Sequence, residues 1–129
     1  MNQAIQPKSL SDPRPRYSQG ILTEGGKLLF IAGQTASDRD GNIVGKGDID
    51  AQVTQVFERI KAVVEEAGGT MDDIVKTTIY VKDIKSQAAI HRVRSRYFKK
   101  DPPASTLIVI GGLAKEEYLI EIESIAVLK

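Results

Sequence analysis

The spacing of apolar and polar positions changes period several times along this chain, and each change predicts an element. Residues 1–16 have no period and contain Pro7, Pro13 and Pro15, so they read as an irregular segment before a single domain over residues 17–129. Tyr17 to Thr23 and Lys27 to Ala32 read as strands, the second carrying Leu28-Leu29-Phe30-Ile31. Glu24-Gly25-Gly26 between them predicts a hairpin, because glycine enters positive φ without strain. A polar loop follows, with Asp48 or Asp50 as a helix N-cap. From Ile49 to Ala67 the period is helical: Val53, Val56, Phe57, Ile60, Val63, Val64 and Ala67 form one stripe, and Gly68-Gly69 ends it. Val75 to Val81 alternates with period two, as a strand does. Ser86 to Phe98 reads as a second helix along Ile90, Val93 and Tyr97, stopped by Pro102-Pro103. Ala104 to Ile110 and Tyr118 to Leu128 are the remaining strands.

The order β-β-α-β-α-β-β predicts an α+β fold: a mixed sheet with two helices on one face, parallel crossovers through the helices and hairpins at the ends. The other face of that sheet keeps apolar side chains and has nothing in the chain to cover it. Such a face marks an interface, and a homo-oligomer is expected. The last strand adds a second anomaly. Glu121 and Glu123 sit two residues apart, so both side chains share one face with Leu119, Ile125 and Val127. A carboxylate among apolar neighbours is costly unless it is solvated, paired or hydrogen-bonded. Either this face meets water, or a Glu is kept there for chemistry.

Composition narrows the chemistry. The chain has no cysteine and one histidine, which excludes disulfides, thiolate sites and a multi-histidine zinc centre within one chain. No metal or cofactor is therefore expected. Its formal net charge of +1 gives no broad positive field, and without Trp and with few Tyr and Phe it has little to stack on bases, so nucleic acid is not an expected partner. No apolar stretch is long enough to span a membrane and no secretory signal opens the sequence, so the cytoplasm is the expected location. The glycine pairs lack a following Gly-Lys-Ser/Thr and make no phosphate loop.

Five segments in order carry a resemblance: Arg16-Tyr17-Ser18-Gln19-Gly20, Ala32-Gly33-Gln34, Asp73 to Asp83, Pro103-Ala104-Ser105-Thr106, and Ile120 to Val127. They resemble the reactive intermediate deaminase family, RidA or YjgF/YER057c/UK114, also described as endoribonuclease L-PSP. The resemblance implies a chorismate-mutase-like fold and a homotrimer with small-molecule clefts between subunits. Its implied activity is hydrolysis of enamines and imines such as 2-aminoacrylate to ketoacids and ammonia. Glu121 matches the family's water-positioning carboxylate, and Tyr17 a cleft tyrosine. Ala32 and Gly33 match small residues that leave room for substrate, Leu107 the main-chain contacts, and His91 a position where many members carry asparagine.

One position departs from the pattern. Ser105 stands where family deaminases carry the arginine that clamps the substrate's carboxylate. A hydroxyl cannot replace that bidentate cation. The expected substrate is accordingly not standard 2-aminoacrylate: either it lacks the carboxylate, or another cation among Arg14, Arg16, Arg92, Arg94 and Arg96 takes over. Ser105 has no base nearby in sequence to make it a nucleophile, and its hydroxyl is expected on a ligand or a backbone group. Glu123 is expected to pair with a basic side chain at a subunit boundary. Arg92, Arg94 and Arg96 with Lys99 and Lys100 read as a solvated helix face. The alternatives to a deaminase are a binding or regulatory trimer without turnover, and, more weakly, a ribonuclease or translation inhibitor.

Overall fold

Helix α1 (Ile49–Glu66) begins where Asp48 accepts the Ala51 N–H at 3.1 Å, so the first of the two candidate caps is the one used. The computed structural model describes residues 2–129. Its strands are β1 (Gln3–Ile5), β2 (Gly20–Leu22), β3 (Lys27–Gln34), β4 (Ile74–Val81), β5 (Ala104–Val109) and β6 (Ile120–Leu128), and its second helix is α2 (Gln87–Tyr97). Both helices follow the predicted spans to within one or two residues.

The main sheet has the order β3-β6-β4-β5, with β4 and β5 parallel and β6 antiparallel to both of its neighbours. Helix α2 makes the parallel crossover from β4 to β5, as the β-α-β pattern predicts. The two expected hairpins do not form. β2 pairs instead with β1, inside the segment read as irregular, and β5 lies beside β4 rather than β6. For the hairpin of β5 with β6 the reason is competition for partners, because β3 and β4 take both edges of β6. β6 is nine residues long and apolar on one face, and it offers both β3 and β4 a longer antiparallel ladder than a local hairpin would. Gly25 and Gly26, with φ of 102° and 127°, turn the chain out of the small ribbon and into the main sheet.

The core lies between the helices and one sheet face. Phe57 and Ile60 of α1, Ile90 and Val93 of α2, Ile79 and Val81 of β4, and Ile120 and Ile122 of β6 are buried in it. Each side chain of this size contributes roughly 1.5–3 kcal/mol by leaving water. Phe57 stacks on Tyr97 and meets Phe98 edge-on, joining the two helices. One polar residue sits in the α1 stripe. Gln52 is fully buried, donates to the carbonyls of Gly45 and Glu117, and accepts the Leu119 N–H at 2.8 Å. That satisfied amide holds Leu119, the residue just before β6 and two before Glu121.

The opposite sheet face is left open. Leu28 and Phe30 are 62% and 70% exposed, and Ile108 is also exposed. The half-buried Glu121 and Ile125 and the exposed Glu123 alternate along β6 with buried Ile120, Ile122 and Ser124, as the period-two reading requires.

Candidate functional site

Glu121 lies in register with Tyr80 of β4. On its other side β3 is irregular: Ile31 faces Ser124 but Gln34 faces Ile122, so β3 bulges by one residue through Ala32 and Gly33. The Glu121 carboxylate rests over that bulge. A Cβ on Gly33 would stand 2.8 Å from Glu121 Cδ and closer still to Oε2. Gly33 has no positive φ, so glycine is needed there for space and not for backbone freedom. The bulge is braced from behind, where Arg59 donates to Gln34 Oε1 at 2.9 Å and to the Ser37 carbonyl.

Tyr80 and Glu123 complete this cluster. The Tyr80 hydroxyl donates to Glu123 Oε1 at 2.6 Å. That bond, then burial, then the charges of Glu123 and Glu121 push the phenol above its ordinary value, so it stays protonated at neutral pH. Within the chain Glu123 therefore has a phenol as partner. Sequence reading missed Tyr80 as a site residue. The signal was available, since the alternation of β4 puts it on the same open face as Glu121. A recess of about 240 Å³ on this face is lined by Phe30, Lys76, Thr78, Glu123 and Ile125, among others.

The remaining candidates gather elsewhere. Ser18 bridges to Ala104, donates its amide to the Pro103 carbonyl at 3.1 Å and its hydroxyl to the Pro102 carbonyl, and so clasps the Arg16-Tyr17 segment along the outer edge of β5. Tyr17 and His91 are both half-buried. Ser105 accepts the Thr77 hydroxyl at 2.9 Å, and Leu107 packs against the core, so both turn toward the helices. The partner of Ser105 is thus another side chain, not a backbone group. Arg94 corrects a second expectation. It is 5% exposed rather than solvated, and its Nη1 donates to the Arg16 carbonyl at 2.7 Å while Nη2 lies 3.4 Å from His91 Nδ1. Burial, then the nearby Arg94 and Arg16, holds His91 below the ordinary histidine value, so its ring is neutral at pH 7.

One chain therefore holds two groups that do not meet. Glu121, Gly33, Ala32 and Tyr80 belong to the open face. Tyr17, His91, Arg94 and Ser105 belong to the helix side and outer edge. Glu121 pairs with Tyr80, which pairs with Ile108, and Ser105 lies earlier on β5 by roughly 10 Å at about 3.3 Å per residue, facing the other way. Among the described residues no group of three or more His, Cys, Asp or Glu side chains is placed to hold a metal ion, and no helix is long and apolar enough to cross a membrane.

Two helices on one side of a four-stranded mixed sheet, with a carboxylate kept on the bare side, define a chorismate-mutase-like α+β domain. A family model described as Endoribonuclease L-PSP matches residues 8–128. A RutC family protein of Pyrococcus horikoshii is 40% identical over 126 residues, 98% of each chain. One from Pyrococcus abyssi is 41% identical over 116 residues, covering 88% of this chain and 89% of the relative. Among solved structures, the Rid family protein YyfB of Yersinia pestis superposes with a TM-score of 0.92 at 35% identity, covering 98% of each chain. RidA from an Antarctic Psychrobacter gives 0.74 at 31% identity, over 98% of this chain and 99% of that one. The chain belongs to the YjgF/L-PSP family, the Rid proteins.

Proposed function

We propose that this protein is a hydrolytic deaminase of reactive enamines or imines, working in clefts between subunits of a homotrimer on a substrate other than 2-aminoacrylate. The observation that carries the reading is the Glu121 carboxylate held over the Gly33 bulge, on a sheet face that nothing in its own chain covers. Imine hydrolysis needs a water aimed at the C=N carbon and a group to take its proton. Glu121 accepts the proton as the water oxygen bonds to the carbon and the C=N electron pair moves to nitrogen. With the imine protonated at the start, returning that proton to nitrogen makes it a leaving group: the C–N pair stays on nitrogen as ammonia, and the hydroxyl passes its proton to Glu121 as the C=O bond of the carbonyl product forms. The neutral Tyr80 phenol holds Glu123 and leaves Glu121 as the acceptor nearest the bulge. A neighbouring copy laid on the open face would bring its outer-edge group, with Tyr17 and His91, toward Glu121.

Ammonia release from 2-iminopropionate and from carboxylate-free imines tests the activity. Catalysed release from an imine other than 2-iminopropionate, which is the tautomer of 2-aminoacrylate, is expected, and no acceleration on any would overturn the reading in favour of a binding trimer without turnover. That second reading is favoured by Ser105, whose hydroxyl is engaged by Thr77 and carries no charge to a ligand. The assembly has its own test. Phe30→Glu puts a charge in the exposed apolar patch, and sedimentation should fall from three times the 14.1 kDa chain to a single chain. A monomeric wild type at micromolar concentration would exclude the shared cleft.

A further inference from the structure

We propose that Arg94, flanked by Arg16 and His91, forms an anion subsite that takes a carboxylate of the ligand, in place of the clamp that Ser105 cannot supply. The proposal rests on the deaminase reading and narrows it to carboxylate-bearing imines.

Arg94 is buried without a counter-ion. Two of the other candidate cations are already engaged: Arg14 pairs with Asp12 and Asp101, and Arg92 with Asp50. Among the described residues no carboxylate lies in ion-pair reach of Arg94. An uncompensated buried cation is costly, and a bound anion is one thing that would compensate it. The second cation nearby deepens the cost. Burial first, and then the charge of Arg16, lower the Arg94 pKa to about 10.

The geometry selects which edge of the guanidinium is left unsatisfied. Nη1 is taken by the Arg16 carbonyl. Nε is buried with no partner, and Nη2 has only the 3.4 Å approach to His91 Nδ1. Nε–H and Nη2–H lie side by side in the guanidinium plane, which is the fork that matches two carboxylate oxygens. His91 Nδ1 closes one side of that fork, and the charge of Arg16, exposed at the surface, is near enough to be felt by Arg94. The location also fits, because Ala104, the residue before Ser105, bridges to Ser18 at the end of the Arg16-Tyr17 segment.

His91 is the only histidine in the chain, so its ring reports on the subsite without assignment. The experiment is an NMR titration of the wild-type protein with pyruvate, and separately with acetone, which has the same ketone and no carboxylate. Free His91 is expected to titrate below the ordinary histidine value, because burial and then the charges of Arg94 and Arg16 oppose its protonation. Bound pyruvate neutralises those cations and should raise its pKa, whereas acetone should leave it unmoved. Arg94→Met should weaken pyruvate by about tenfold or more, the loss of one charged hydrogen bond. Because that variant also removes the bond to Arg16, two others separate ligand binding from folding. Arg94→Lys keeps the charge but not the fork, and Arg16→Ala keeps the backbone carbonyl that Arg94 holds. Both should fold and both should bind pyruvate more weakly. The proposal fails if wild type binds pyruvate and acetone alike, or if folded Arg94→Lys and Arg16→Ala bind pyruvate as wild type does. Binding is read here without turnover. Pyruvate bound at His91 by a protein that hydrolyses no imine would support the subsite while sinking the deaminase reading.

Discussion

Glu121→Gln should lower imine hydrolysis by about 10²- to 10⁴-fold, the range typical of a lost general base. The change replaces one oxygen by an amide of nearly the same shape, so the cleft keeps its volume while losing its proton acceptor. The cost corresponds to about 3–5 kcal/mol of transition-state stabilisation. Glu121 is half-buried and its neighbours Tyr80 and Glu123 are bonded to each other, so folding should change little. An internal check comes from Tyr80, whose phenol is held above its ordinary value partly by the Glu121 charge. In the variant its titration should move back toward that value. Wild-type rates on every imine, with Tyr80 shifted as expected, would show that the carboxylate is present and idle.

Gly33→Ala should cost activity without costing the fold. The new methyl would meet Glu121 Cδ at 2.8 Å and Cγ at 3.1 Å, so the carboxylate has to swing away. Gly33 is exposed and has no positive φ, so alanine is compatible with the backbone. Melting temperature should hold or rise slightly, since this substitution at a compatible site stabilises by about 0.4–1 kcal/mol. A displacement of this order at a catalytic group costs roughly 10²-fold in rate. Thermal melting measured beside turnover tests both halves. Full activity with an unchanged melt would mean that the position of the carboxylate is not what the bulge protects.

The sequence made some of this legible and hid the rest for physical reasons. Helix α1 was readable because its stripe follows the 3.6-residue period and its cap is local. The open face was readable because alternation along β4 and β6 assigns each side chain a side. Strand partners were not, since pairing is settled by which ladder is longest across the whole chain. β3 and β4 take both edges of β6 and leave none for a local hairpin with β5. Arg94 was read as solvent-facing by its charge, yet it sits four residues from Ile90 and four from Phe98, both buried. That spacing was the available clue, and the preference of charge for water outweighed it. The separation of Glu121 from Tyr17 and His91 on two sides of one sheet is a matter of tertiary placement that no local pattern encodes.

The order in which the strands are made also matters. The middle of the sheet is occupied by β6, the last of the six to leave the ribosome, flanked by β3 and β4 synthesised long before it. Until it arrives, β3 has no ladder partner and the apolar faces of α1 and β4 have half their floor missing. Pairing over such sequence distances is slow to nucleate, and unfinished chains expose sticky edges meanwhile. The segment that completes the core is the same one that carries the acidic group, so maturation and competence arrive together, in the final nine-residue insertion.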